Sequence, residues 1–401
     1  AHTIELRGWF VTTPQLGAPW GQNLSDYPPV GDATHVLELW GLVSIFRDSA
    51  LALNLFYFGS FLTVFLGAYI ASRTLDISRT AAVMLSLLYA FLPYHFQQGP
   101  GHLFLSSYFA VPLWIALFAR QLGDRPLIPD VPRGRNWRVW WQWVRQPSVL
   151  AAAAITLLAA TTGLYYGIFF CLIGGMVAII VGLKAGKLRP ALSFAPFLGA
   201  GFVVLALQYV PVALYQRQHG ENDIVTRGLF SVEFYSLKLS DMLLPVRGHR
   251  IETFARWQND AQQVSLIGER TEALGIIGAL GLLLLFGTVV VRALRSRPVG
   301  RLGPLALIAA IAFLLGTTGG FAILLGVIGD LTEIRAWSRI SVVIAFCAFA
   351  AFGMAFDRLR DRSSLPGIAR IGVAAVLVTV GVLDMTPARV FPSYDATADQ
   401  Y

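Results

Sequence analysis

Charge is what this sequence has least of. Only 13% of its 401 residues are Asp, Glu, Lys or Arg, against about 25% in soluble domains, while 56% are hydrophobic and the mean hydropathy is +0.62. A soluble globular fold is excluded, and an integral membrane protein is implied. Cysteine is almost missing too. Cys171 and Cys347 both fall in apolar runs, where a thiol behaves as a small buried hydrophobe, so a disulfide framework is excluded and the redox compartment is left unmarked. The chain opens neither with Met nor with a charged stretch leading into an apolar core, so its first residues are not a signal peptide. Because the first clear apolar span starts only near Ser49, a transmembrane helix ahead of Ala1 is expected. Internal repeats and low-complexity tracts are lacking as well.

What is present is a succession of apolar runs. About 20 residues at about 1.5 Å rise cross about 30 Å of hydrocarbon. On that measure spans are predicted near 49–71, 80–96, 103–119, 148–163, 165–183, 191–214, 273–291, 303–318, 339–356 and 371–386. The run from Ser148 to Leu183 would reach about 54 Å as one helix. It is therefore split at Thr161-Thr162-Gly163, beside Tyr165-Tyr166, read as an interfacial aromatic pair. The fold class expected is an all-α polytopic membrane protein of about ten transmembrane helices, with interfacial helices and outer-face loops.

Charge placement then sets an orientation. If the segment before Ser49 is outside, the inner loops hold 19 of the 31 basic residues and only five of the 23 acids, making the inner side +14 and the outer side −6. The positive-inside rule predicts this asymmetry, and it accounts for the net charge of +8 without a nucleic-acid partner. The Arg- and Trp-rich inner stretch Arg133–Arg145 could hold a single strand by stacking and charge, but its neighbouring spans favour an interfacial belt on an anionic leaflet. Charges inside spans are scarce. Lys184, Arg339 and Asp384 sit at or beyond span ends, whereas a charge at the bilayer centre costs about 2.5 to 3.5 kcal/mol. Ion-coupled transporters accept that cost at a midplane site, so weight moves towards chemistry at the outer face.

The organisation expected is a first outer loop, 1–48, a transmembrane domain, 49–386, and an outer C-terminal tail, 387–401. Within the transmembrane domain, 215–272 is a long outer loop and 319–338 a re-entrant or interfacial segment. Asp32 stands before a helix predicted from Ala33 to about Phe46, with Val36, Leu37, Leu39, Trp40, Val43 and Phe46 on it, lying in the interface.

Two carboxylates lie in the turn-rich segment Trp20–Asp32. Asp26, between Ser25 and Tyr27-Pro28-Pro29, is read either as a general base on an extended loop or as an Asx-turn residue. Asp32 is read as a helix N-cap, with acceptor binding or metal ligation as the alternatives; with His35 and Glu38 on the next helical turns it makes a loosely spaced set for a divalent ion. His95 and His102 bracket the loop Phe96–Gly101 and could meet a phosphate or an acceptor, or merely bond to neighbouring loops. Outer cations run against the positive-inside rule. His249 and Arg250, and Arg335 and Arg339, could grip a lipid phosphate through charge-assisted bonds, or pair with outer acids such as Glu333.

These stretches resemble the GT-C glycosyltransferases, multi-spanning enzymes that use polyprenyl-phosphate sugar donors, and within them the bacterial YfhO-like and mannosyltransferase-like membrane proteins. The resemblance is carried by Gly17-Ala18-Pro19-Trp20-Gly21 through Asp32, Leu92-Pro93-Tyr94-His95-Phe96 with Gly101-His102-Leu103, Gly163–Gly167, Leu244-Pro245 with His249-Arg250, and Arg335–Arg339. It implies a catalytic aspartate in the first outer loop, a role that falls on Asp26 with Asp32 as the rival. No adjacent acidic pair of the protein-mannosyltransferase sort is present. The function expected is transfer of a sugar from a polyprenyl-phosphate donor to an envelope glycan, lipid or protein acceptor, at a cell membrane, with the site facing the periplasm or cell exterior. His95, His102, His249, Arg250, Arg335 and Arg339 would bind substrate or lipid phosphate. No cofactor is required, and a divalent metal at Asp32 and His35 is compatible. The alternative is a non-enzymatic flippase or export component for lipid-linked sugars.

Overall fold

The computed structural model describes residues 1–17, 19–25, 31–134, 136–220, 228–264, 268–297, 300–329, 332, 334–362 and 366–388. The chain is built from helices, with a single two-residue strand pair among the described residues, Thr12–Thr13 against Gln22–Asn23, antiparallel. In order the helices are α1 His2–Arg7, α2 Ala33–Phe46, α3 Ser49–Thr74, α4 Arg79–Ala90, α5 Pro93–Gln98, a 3₁₀ segment Pro100–Ser106, and α6 Ala110–Leu122. There follow α7 Trp137–Val144, α8 Pro147–Thr161, α9 Leu164–Ala185, α10 Leu188–Leu192, α11 Ala195–His219, α12 Leu229–Phe234, α13 Leu239–Leu243 and α14 Glu252–Val264. The last are α15 Gly275–Leu294, α16 Leu302–Gly316, α17 Phe321–Gly329, a 3₁₀ turn Trp337–Ile340, α18 Ser341–Arg362 and α19 Gly367–Met385.

Local chemistry sets the boundaries. Asp48 caps α3 by accepting the amides of Ala50 at 2.9 Å and Leu51 at 3.0 Å, and Ser78 caps α4 through Ala81. Gly163, at φ 137°, breaks the long apolar run between α8 and α9 at the predicted place. Pro93 breaks a second run that had been expected to cross unbroken from 80 to 96. As the first residue of α5 it cannot continue α4, which therefore stops at 12 residues.

Among the described residues seven helical segments are long and apolar enough to cross a membrane, or eight if the pair α7 and α8, bent by 69°, counts as one span. The expected ten is not met by length. The shortfall lies in α8, which reaches the length only with α7, and in α4 and α16. The lengths of α4 and of α16, the latter with 15 residues, are about 18 and 22 Å and fall short of the hydrocarbon thickness. Both are instead enclosed by other helices, with Ala81, Leu85 and Leu88 of α4 and Leu305, Ile308 and Ala312 of α16 fully buried or nearly so.

At the centre stands α18. The share of its apolar window buried inside the protein is 78%, against 17% for α19, 22% for α11 and 28% for α3 and α15, so α18 is the hub and these four are the outer helices. It packs on α15, α16 and α4, and Gly281 of α15 lies against the Ala348 carbonyl, an approach that a β-carbon would block.

The loops gather at two ends. At one, Arg120 pairs with Asp76 at 3.0 Å, Arg301 donates to the Leu75 carbonyl at 2.6 Å, Asp357 accepts the Ser78 amide at 2.8 Å, and Lys184 donates to the Leu122 carbonyl at 3.1 Å. This is the basic end, and it joins the loops that the charge count had assigned to one side. The opposite end carries α2, α5, the α8–α9 turn, α12 to α14, α17 and the approach to α18.

Candidate functional site

The site is built where the segment before α2 docks on the α8–α9 turn. Gly31, at φ 87°, lies against the backbone of Leu164, and its carbonyl accepts the Gly163 amide. Thr34 meets Thr161 through their hydroxyls at 2.7 Å, and Gln208 bridges the two segments, accepting the Ala33 amide at 3.4 Å and donating to the Ala160 carbonyl at 2.8 Å. His35, fully buried, lies with Nε2 3.2 Å from the Thr162 carbonyl, so that nitrogen carries the proton.

Asp32 occupies the N-cap position of α2 but makes no side-chain cap hydrogen bond. This corrects the capping reading. Its backbone, at φ −104° and ψ 18°, is not extended as a capping residue's is, and Gln208 has taken up the Ala33 amide. Its Oδ1 is instead buried without a hydrogen-bond partner. Burial pushes the carboxyl up to about 6, against the opposing pull of His35 and Arg339. A carboxyl so placed exchanges a proton near neutral pH.

Arg339, immediately before α18, is buried and held on three sides. Its Nε lies 3.1 and 3.0 Å from Oε1 and Oε2 of Glu269, and its Nη2 donates to Oε1. Its guanidinium sits 4.3 Å from the centre of the Tyr165 ring, and Gln98 of α5 donates to the same Glu269 at 3.3 Å. Tyr165 therefore turns inward, and so does Tyr166, whose hydroxyl bonds to the Leu105 carbonyl at 2.7 Å and to Tyr94 at 2.9 Å. The expected interfacial aromatic pair is thus inside the bundle, where each ring serves a polar partner. His102, exposed at a kink in the 3₁₀ segment, is within electrostatic reach of Arg339, Glu269 and Arg335. Arg335 lies over the Tyr235 ring at 5.1 Å, and among the described residues no carboxylate pairs with it.

The structure thus brings together Asp32, His35, His102, Arg335 and Arg339. Asp26 lies outside the described residues, as does Glu333. His95 stands apart from the charged cluster, in an aromatic cage: fully buried, stacked on Phe61 at 3.7 Å and bonded to Ser60 at 2.9 Å, with burial lowering it to about 3, so it is neutral. His249 and Arg250 fasten the end of α19. His249 Nε2 is 3.2 Å from Asp384, while Arg250 donates to the Leu383 and Thr386 carbonyls at 2.5 Å. Among the described residues no three His, Cys, Asp or Glu side chains gather as metal ligands, so Asp32 and His35 form at most a pair.

Sequence reasoning missed Glu269 and Glu272. The available signal was two acids in Glu269-Arg270-Thr271-Glu272, directly ahead of an apolar span where carboxylates are costly. Glu272 is 3% exposed, and burial, then repulsion from Asp241, pushes it up to about 7. No protein-family model matches the chain, and none of the curated proteins is detectably similar to it.

Proposed function

We propose that the chain is a membrane glycosyltransferase that moves a sugar from a polyprenyl-phosphate donor to a hydroxyl of a cell-envelope glycan, lipid or protein, at the end of the bundle opposite its basic loops, facing the periplasm or cell exterior. The observation that carries the reading is the Asp32 carboxyl, its Oδ1 buried without a hydrogen-bond partner, within the field of Arg339. In the scheme Asp32 takes the proton of the acceptor hydroxyl as that oxygen attacks the anomeric carbon. The bond from that carbon to the phosphate oxygen breaks, and the electron pair leaves on polyprenyl phosphate. Arg335 and His102 receive the phosphate charge, and Arg339, already satisfied by Glu269, adds its field. Asp26, six residues earlier in the chain, is the alternative base. Because phosphate is a good leaving group, the scheme calls for no nucleotide or redox cofactor.

The test is sugar transfer by protein reconstituted in vesicles with a polyprenyl-phosphate sugar and a soluble acceptor. Asp32→Asn should slow turnover by about 10² to 10⁴ with protein level and melting temperature held. Full turnover by that variant removes Asp32 from the role. Passage of lipid-linked sugar across the bilayer with no new glycosidic bond would replace the enzyme by the flippase.

A further inference from the structure

A different feature lies at the basic end, away from Asp32 and Arg339. Helix α15 finishes at Leu294, and Ser296 then takes a left-handed φ of 47°, a conformation that residues with a β-carbon seldom adopt. Hydrogen bonds from the Ser296 amide to the Ala293 carbonyl at 3.0 Å, and from the Arg297 amide to the Arg292 carbonyl at 2.9 Å, fold the chain back over the last turn of the helix. The hook sets Arg292, Arg295 and Arg297 around a cavity of about 420 Å³, walled otherwise by α15 residues including Leu284, Gly287 and Val291. At Gly287 a β-carbon would meet nothing within 4 Å, and Leu284 and Val291 are exposed, so among the described residues no helix covers this wall.

Acids are scarce around Arg295 and Arg297. Between Glu272 and Asp330 the sequence contains no acid, and among the described residues no carboxylate pairs with Arg295 or Arg297. Arginines after a helix C-terminus are favourable to the helix dipole and to the positive-inside rule. Those effects account for cations near Leu294, but they require neither a backbone hook that returns Arg297 nor an open apolar wall beneath it. A guest that is apolar along one part and anionic at one end satisfies both halves of the cavity.

We propose that this cavity binds an anionic phospholipid of the bilayer, its acyl chain along the Leu284–Val291 face of α15 and its phosphate on Arg295 and Arg297. Guanidinium groups suit that headgroup because they pair with phosphate oxygens two at a time. The site is independent of the proposed sugar transfer.

The probe is phosphatidylglycerol against phosphatidylcholine, with lipid retention by the purified full chain counted by native mass spectrometry after release from mixed nanodiscs. The wild type should retain one phosphatidylglycerol in preference to phosphatidylcholine. The double variant Arg295→Gln/Arg297→Gln should hold it on the order of thirtyfold less tightly, about fivefold for each arginine. Gly287→Phe leaves every charge in place and fills the open wall, so it should lose the lipid while keeping the wild-type circular dichroism. Equal retention of the two lipids by the wild type overturns the proposal, as does undiminished retention by Gly287→Phe. Selective retention of added polyprenyl phosphate in place of phosphatidylglycerol would reassign the cavity to the donor lipid.

Discussion

The Gly31 carbonyl accepts the Gly163 amide at 2.8 Å, and both glycines have positive φ, 87° and 137°. This one bond joins the segment that bears Asp32 to the turn that bears Tyr165, and through Tyr165 to Arg339. A β-carbon on Gly31 would strike the backbone of Leu164, which has no flexible end to yield. Gly31→Ala should therefore cost about 1 to 3 kcal/mol from the strained backbone alone and displace Asp32. The expected result is a lowered melting temperature together with sugar transfer reduced more than the folded fraction, read by thermal denaturation beside a turnover assay.

Arg339 and Glu269 are a buried pair, with side chains 8% and 15% exposed. Removing one partner strands the other's charge, so Glu269→Ala should destabilise by about 3 to 5 kcal/mol. The double change Glu269→Leu/Arg339→Met removes both charges and should recover most of that loss, without restoring transfer. Denaturation in detergent across the four members of the cycle measures it.

If Asp32 is the base, transfer depends on its ionised form. With the folded carboxyl at about 6, kcat/KM should rise as pH passes upward through about 6 and level off above it. A pH profile that is flat between 5 and 8, units taken as rough bounds around that carboxyl, would exclude Asp32 from proton transfer.

Glu272 makes the opposite kind of statement, about stability. Its folded value of about 7 lies above the 4.5 of the unfolded chain, so the unfolded state gives up this proton first as pH rises. Stability from this group is fully present below 4.5 and falls as pH climbs to 7, by on the order of 3 kcal/mol. Glu272→Gln should remove that slope and leave the protein more stable than wild type at pH 8, a value chosen about one unit above the titration.

The membrane class, the helix from Ala33 to Phe46, the turn at Gly163 and the gathering of basic loops at one end were legible, because each follows from local composition or from periodic runs. The Pro93 break was written in the sequence and outweighed by the apolar residues around it. The Asp32 side chain was misread because Gly-Asp-Ala is a good local helix start, while the group that displaces it, Gln208, is 175 residues from Ala33 along the chain. Arg339 and Glu269 are 70 residues apart. Such a pair has no spacing to detect; only the cost of an acid beside an apolar span marks it.

Helix α18 is the hub, yet it begins only at Ser341 of 401 residues. During synthesis, α4, α6, α15 and α16 must therefore enter the bilayer before their common partner exists. The surface around Gly281 that later receives Ala348 is meanwhile without that partner. Assembly is a late capture, in which the bundle closes around its own centre when α18 arrives. A ribosome halted before Ser341 would leave a ring of membrane helices with no middle.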